Sequence, residues 1–227
     1  MIKIAVDGPS GAGKSSLAKA IAKQLGVVYV DTGALYRAVG LYILRSDIDP
    51  TDADTVTGQL NNITVELKFV DGVQRIYLCG EDVSEEIRTP TVAKYASDVS
   101  SIGAVRTFLL DTQRNIAATT SVIMDGRDIG TVIMPDADVK IFLTASAEAR
   151  ALRRYNELVK KGASVSYDEI FSGMQQRDAN DSGRAIAPAV PAEDAVILDN
   201  SNYSEEETLA AAMKIIKSGL EAAGKSI

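Results

Sequence analysis

Five short runs of the chain are apolar at almost every position: Ile2–Val6, Val27–Val30, Val122–Met124, Val139–Leu143 and Val196–Leu198. Strands without alternation are those buried on both faces, as in a parallel sheet covered by helices on each side. Between them the spacing becomes helical. Leu17, Ile21 and Leu25 recur every fourth residue, and Gly26 follows as a stop. Ser204-Glu205-Glu206-Glu207 is a capping box that opens a second helix, with Leu209, Met213, Ile216 and Leu220 as its apolar face. Strand–helix alternation on this scale predicts a doubly wound α/β fold around a parallel five-stranded sheet.

One segment has a different period. Thr64–Phe69 alternates apolar and polar residues, Asp71-Gly72 turns the chain, and Val73–Cys79 returns. A hairpin of this kind does not fit a parallel sheet, so residues 60–90 are expected to form a small β-rich insertion. Two stretches, 160–164 and Asp178–Pro191, carry the Gly, Ser, Lys and Pro of mobile surface. The strands end in carboxylates: Asp7, Asp31, Asp125 and Asp199. Ligands of open α/β sheets bind outside the carboxyl ends of the strands, so this row bears on function as well as fold.

Composition narrows the chemistry. With 227 residues, 24 basic and 31 acidic side chains, the chain carries a net charge of −7, which argues against non-specific nucleic-acid binding. Histidine is absent, which removes an imidazole base, a Ser-His triad and a His-ligated zinc site. The lone Cys79 excludes an intrachain disulfide or a thiolate cluster, and its place in a strand-like run reads as a half-buried structural thiol. No apolar stretch reaches the ~20 residues of a membrane helix, and Met1–Val6 runs into a strand without a signal-peptide pattern. The expectation is a cytoplasmic protein without membrane contact. The acidic charge and lack of an apolar surface stripe point to a monomer.

Gly8-Pro9-Ser10-Gly11-Ala12-Gly13-Lys14-Ser15 fits the P-loop pattern G-x-x-x-x-G-K-[ST], with a strand before it and an amphipathic helix after it. The glycines let backbone N–H groups wrap a polyphosphate, Lys14 reaches the β- and γ-phosphates, and the Ser15 hydroxyl is placed for Mg²⁺. No N-K-x-D motif for a guanine base is present, and the nearest acidic Walker-B-like strand is Val122-Ile123-Met124-Asp125. A small phosphotransferase remains. Arg37, which follows Asp31-Thr32-Gly33 after a strand's carboxyl end, and Arg127, beside Gly126 at another, suit a transfer that gathers several phosphate charges. Arg153, Arg177 and Arg184 flank the mobile stretch; Arg150 or Arg154 taken alone reads as a surface ion pair. The absence of histidine is compatible with a phosphate acceptor, which needs no strong base, and leaves an Asp base open.

GPSGAGKSS at 8–16, DTGALYR at 31–37, GEDVSEEIRT at 80–89, DGRDIGTVIMPDADVKIFL at 125–143 and the RD…D…R of 177–184 together resemble the bacterial cytidylate kinases, P-loop nucleoside monophosphate kinases. The resemblance spans about residues 2–200 in unbroken order. It implies Mg²⁺-dependent transfer from ATP to CMP or dCMP in one P-loop kinase domain: a core of 1–31, 101–150 and 186–227, a nucleoside-monophosphate region of about 32–100 containing the hairpin, and a helical lid of about 151–185. Gly8, Pro9, Ser10, Gly11, Ala12, Gly13, Lys14, Ser15 and Ser16 would hold the ATP phosphates, with Arg153 near ATP. Thr32, Tyr36 and Arg37 would line the CMP pocket, with Arg37 and Arg127 on its phosphate. Ser97, Arg106 and Asp128 would read cytosine. Arg177, Asp181 and Arg184 would come from the lid, with Asp181 directed at the ribose, and Lys14, Arg127, Arg177 and Arg184 would stabilise the transferring group. Some relatives have Lys-Gly-Thr where this chain has Lys14-Ser15-Ser16, so the magnesium hydroxyl is Ser15 or its neighbour Ser16. A kinase for AMP or a small hydroxyl compound, or a nucleotide-binding protein without catalysis, are the alternatives.

Overall fold

The computed structural model describes residues 1–184 and 186–225. Ala185, within the stretch 178–191 and at the edge of the expected lid, lies outside them. The first part of the chain forms β1 (Lys3–Asp7), α1 (Lys14–Leu25), β2 (Val28–Asp31), α2 (Gly33–Arg45), α3 (Ala53–Gln59), β3 (Val65–Val70), β4 (Val73–Leu78), β5 (Glu81–Asp82), α4 (Pro90–Val99) and α5 (Gly103–Thr119). The rest forms β6 (Val122–Asp125), a π-helical turn at Ile129–Ile133, β7 (Val139–Thr144), α6 (Ala147–Lys160), α7 (Tyr167–Ser182), β8 (Val196–Asp199) and α8 (Glu205–Ala222). These elements divide into two compact units, Met1–Tyr29 with Thr120–Ile227, and Val30–Thr119.

The first unit is built on the five-stranded sheet, in the order β2-β6-β1-β7-β8. The pairs β1–β6, β1–β7 and β7–β8 are parallel. Central β1 has a neighbour on either side that arrives later in the chain, so its carboxyl end opens at a topological switch point. Ile4, Val6, Ile123, Ile141 and Leu143 from the strands pack with Leu17 and Ile21 of α1 and Ile216 and Leu220 of α8. Each buried side chain of this size contributes about 1.5–3 kcal/mol. Gly26 closes α1, its N–H on the Ala22 carbonyl. The Ser204 capping box forms as expected. In α8, however, Thr208 and Ala212 take the buried face with Ile216 and Leu220, while Leu209 and Met213 are half-buried.

Two expectations fail in this unit. β8 is an edge strand, and Val196 and Ile197 are 45% and 61% exposed; only Leu198 joins the core. The first five residues of the expected mobile stretch, Asp178–Ser182, belong to α7. That helix packs near α6 through Tyr167, edge-on to Tyr155 and stacked on Phe171.

In the second unit, α2, α4 and α5 share a core in which Leu35, Val39, Ile43, Val92, Val99, Val105 and Leu109 meet Ile76 and Leu78 of the hairpin. β3 and β4 pair antiparallel from Val65↔Leu78 to Val70↔Val73, and β5 adds a short third strand. Asp71 and Gly72 both have positive φ, 51° and 75°, the geometry whose twist matches a two-residue hairpin. Cys79 is not the half-buried strand residue expected. It follows β4 at φ 49° and is exposed, because the chain must turn there to lead into β5.

Candidate functional site

The P-loop leaves β1 at Gly8, where φ is 143° and a Cβ would lie 1.9 Å from the Leu143 carbonyl oxygen. Only glycine fits there. Three side chains then take the loop's carbonyls. Lys14 Nζ donates to Pro9 O at 2.7 Å, Arg150 Nη1 to Ser10 O at 3.0 Å, and Asn200 Nδ2 to Ala12 O at 3.1 Å. In a trans peptide the N–H points opposite to the C=O, so these donors direct the loop's N–H groups the other way. Gly13 starts α1 with no side-chain cap, so the helix's first donors are not spent internally. The arrangement suits a polyphosphate.

Lys14 is 6% exposed. Burial, and then the Arg127 guanidinium, hold its ammonium well below the ordinary lysine range, against the pull of Asp125 and Asp7. An incoming phosphate charge reverses that balance. Ser15 Oγ donates to Asp125 Oδ2 at 2.7 Å, and the Tyr29 hydroxyl donates to Oδ1 at 2.9 Å. A hydroxyl and a buried carboxylate set together beside a phosphate loop are hard oxygen donors of the kind that Mg²⁺ takes, with the rest of its shell from phosphates and water. Ser15 therefore fits the metal role better than Ser16, for which no bond to Asp125 is seen.

A second cluster in the same unit centres on Asp181, 2% exposed. Arg127 Nε donates to its Oδ2 at 2.8 Å, Arg184 donates to its Oδ1, and Arg177 Nε lies 4.0 Å from Oδ2. Burial pushes the Asp181 carboxyl up, but Arg127, Arg184 and Arg177 together hold it below the usual carboxylate range. Arg153 of α6 holds Asn200, donating to its Oδ1 at 3.1 Å and its carbonyl at 2.5 Å.

The remaining candidates belong to the second unit. Asp31 accepts from Arg37 Nη1 at 3.2 Å and from the Ala34 N–H at 3.1 Å. Gln74 of β4 donates to the Asp31 carbonyl and accepts its N–H, tying the hairpin to the turn that carries buried Thr32. Arg106, 8% exposed, donates to the Ser100 carbonyl at 3.0 Å and lies 5.4 Å over the Tyr36 ring. Ser97 is half-buried on α4.

The strand-end carboxylates separate into different jobs. Asp199 turns the chain through Ser201, Asp31 pairs with Arg37, and Asp125 meets Ser15. Asp7, 5% exposed, accepts the N–H groups of Ile129 and Gly130 at 2.8 and 2.7 Å. Sequence reading placed Asp7 and Asp125 at strand ends without giving them a role. It missed Asn200 and misjudged Arg150, which is 5% exposed and bonded to Ser10 O, to Ala145 O and to Asp178 at 2.6 Å. Arg154 does pair at the surface, with Glu157.

Asp7 gives a pH prediction. Burial raises its carboxyl to about 6 from 3.8, with Asp128 adding to the rise and the two N–H bonds and Lys14 opposing it. The folded chain therefore takes up this proton before the unfolded chain as pH falls. The contribution destabilises the fold above pH 6 by about 3 kcal/mol and fades towards pH 4. In urea titrations, the stability of the unsubstituted protein relative to Asp7→Asn should rise by up to about that amount between about pH 7 and about pH 4. A difference independent of pH would contradict the assignment.

A parallel sheet with a braced P-loop on its central strand, a hydroxyl–carboxylate pair and several arginines near its carboxyl ends define a P-loop phosphotransferase. Comparison with known proteins narrows the class. Residues 4–218 match the family model described as cytidylate kinase. The chain is 50% identical over 208 residues to the cytidylate kinase of Caldicellulosiruptor saccharolyticus, covering 92% of each chain. It is 46% identical to that of Mycobacterium leprae over 217 residues, covering 95% of this chain and 96% of the relative. A crystal structure of an uncharacterized protein from Eubacterium ventriosum shares the fold with a TM-score of 0.54 at 12% identity, covering 96% of this chain and 99% of that one. The chain belongs to the cytidylate kinase family. Among the described residues no helix is long and apolar enough to cross a membrane.

Proposed function

We propose that the chain carries out the reaction of its family, ATP + (d)CMP ⇌ ADP + (d)CDP, through the residues assembled above. The observation that carries this reading is the braced loop Gly8–Ser16, with Lys14 buried in it and Ser15 on Asp125. Its outward N–H groups receive the donor's phosphates, and Lys14 exchanges the Pro9 carbonyl for the transferring phosphoryl group. Ser15 and Asp125 would hold Mg²⁺, which would supply charge neutralisation on the donor phosphates. Arg153 acts on the donor side through its grip on Asn200.

Arg37 and Arg127 hold the acceptor phosphate, Thr32 and Tyr36 line its pocket, and Ser97, Arg106 and Asp128 read cytosine. Arg177 and Arg184 add positive charge to the transition state from the lid, residues 151–185. Asp181 turns to the ribose once phosphate charge competes for its arginines. Transfer needs little covalent help, so positioning and charge supply the rate. The protein acts as a cytoplasmic monomer on small nucleotides, without nucleic acid or membrane.

Arg127→Ala tests the acceptor assignment. An arginine that holds the acceptor both before and during transfer contributes to KM and to kcat. Steady-state kinetics should show the KM for CMP raised and kcat lowered, with the KM for ATP little changed. An effect confined to ATP would move Arg127 to the donor side.

A further inference from the structure

Asp7 has no part in the scheme above, yet it is a buried carboxylate whose two oxygens are both committed. They bind the N–H groups of Ile129 and Gly130, the first two residues of the π-helical turn. At a helix start, the N–H of the second or third residue, here Gly130 or Thr131, is ordinarily capped by the side chain of the residue before the helix when it is Asp, Asn, Ser or Thr. Here the preceding residue is Asp128, and it makes no capping bond to the turn. Asp7 does that work from another strand. The fit is close on the other side as well: a Cβ on Gly130 would lie 3.1 Å from Lys140 Cδ and 3.4 Å from Asp7 Oδ2. Wide helical turns of this type are rare and occur often at functional sites.

We propose that Asp7 is a positioning residue for choice of the acceptor base: by capping the turn at Ile129 and Gly130 it keeps the Asp128 carboxylate from doing so, and so aims it at the amino group of cytosine. The inference rests on the reading of Asp128 as a base-contacting residue. It explains why a carboxylate whose burial works against its charge sits at the end of β1, facing Asp128 from the turn and Lys14 from α1. Asp7 is also one residue before Gly8, so the same strand end roots the phosphate loop and sets the base-reading turn.

Asp7→Asn keeps the shape but can accept only one of the two N–H groups, and its own NH₂ opposes the other. Asp128 is then drawn to cap its own turn. The ratio of kcat/KM for CMP to that for UMP should fall at least about tenfold, through a raised KM for CMP, while the KM for ATP stays within about threefold. A merely structural role would lower activity with both acceptors alike and leave the ratio in place. Asp128→Asn, run beside it, separates the two claims. An unchanged ratio in Asp7→Asn with a collapsed one in Asp128→Asn overturns the role of Asp7 alone. An unchanged ratio in Asp128→Asn overturns the reading on which it rests. Should Asp7→Asn fail to fold, the unsubstituted enzyme supplies the test. Its CMP/UMP ratio, in which titration of the two acceptor phosphates cancels, should fall as pH drops through about 6; a flat ratio between about pH 7.5 and about pH 5 overturns the proposal.

Discussion

Replacing Lys14 by alanine is expected to lower kcat by at least about 10²-fold, the equivalent of about 3 kcal/mol of transition-state stabilisation. The ammonium is already desolvated and set inside the phosphate loop, with the Pro9 carbonyl as its partner. Its charge therefore acts in a low-dielectric site with little reorganisation left to make. The fold should survive, because the core of this unit is built from Ile4, Val6, Ile21, Ile123, Ile141 and their neighbours. Melting should confirm a cooperative transition in the variant. Arginine at this position should not rescue activity, since its planar fork cannot occupy the space of a point charge beneath the loop. A folded Lys14→Ala enzyme with near-normal kcat would remove the lysine from the chemistry.

Local signals in the chain carried much of the fold. Glycine spacing at Gly8–Gly13 marked the phosphate loop, Asp71-Gly72 marked the hairpin turn, and Ser204 with Glu207 marked the start of the last helix; each depends on neighbours a few residues away. The misreading of Arg150 and the missed role of Asp7 depend on distant partners. Arg150 looked like a surface charge because nothing in its own helix shows that Ser10 O lies beside it, 140 residues away in the chain. Asp7 could be placed at a strand end, but its bonds to Ile129 and Gly130 cross more than 120 residues.

Strand runs predicted burial correctly for β1, β6 and β7. They failed for β8, because an apolar run does not say whether its strand lies at an edge. Cys79 failed for a related reason: it closes an apolar run in sequence, but the chain leaves the strand at that residue. The candidate site shows the same division. Motif matching grouped Arg127, Arg177, Asp181 and Arg184 by resemblance, whereas the dominance of Asp181 as their common partner appears only in three dimensions. The hydroxyl–carboxylate pair of Ser15 and Asp125 was half legible, the serine from its motif and the aspartate only as the end of an acidic strand.

Selection of the base is the second large effect expected, and it decides whether this site is a cytidylate site. Cytosine offers an N4 amino donor and an N3 acceptor; uracil offers an O4 acceptor and an N3 donor. Asp128 is 4% exposed and, as a carboxylate, can only accept, whereas Arg106 is 8% exposed and can only donate. On the proposed reading, both match cytosine and oppose uracil. Each buried mismatch costs about 1–3 kcal/mol, so two give discrimination of about 30-fold to about 10⁴-fold without editing. An asparagine at 128 still accepts the cytosine amino group through its oxygen, but can turn its NH₂ towards O4 of uracil. The deciding measurement is ADP release with CMP, dCMP and UMP as acceptors, for the unsubstituted enzyme and for Asp128→Asn. CMP and dCMP should lead UMP by at least about 30-fold in kcat/KM, and the lead should collapse in the variant, chiefly through loss of activity on CMP. Equal turnover of CMP and UMP by the unsubstituted enzyme, or a lead that survives Asp128→Asn, would contradict the account.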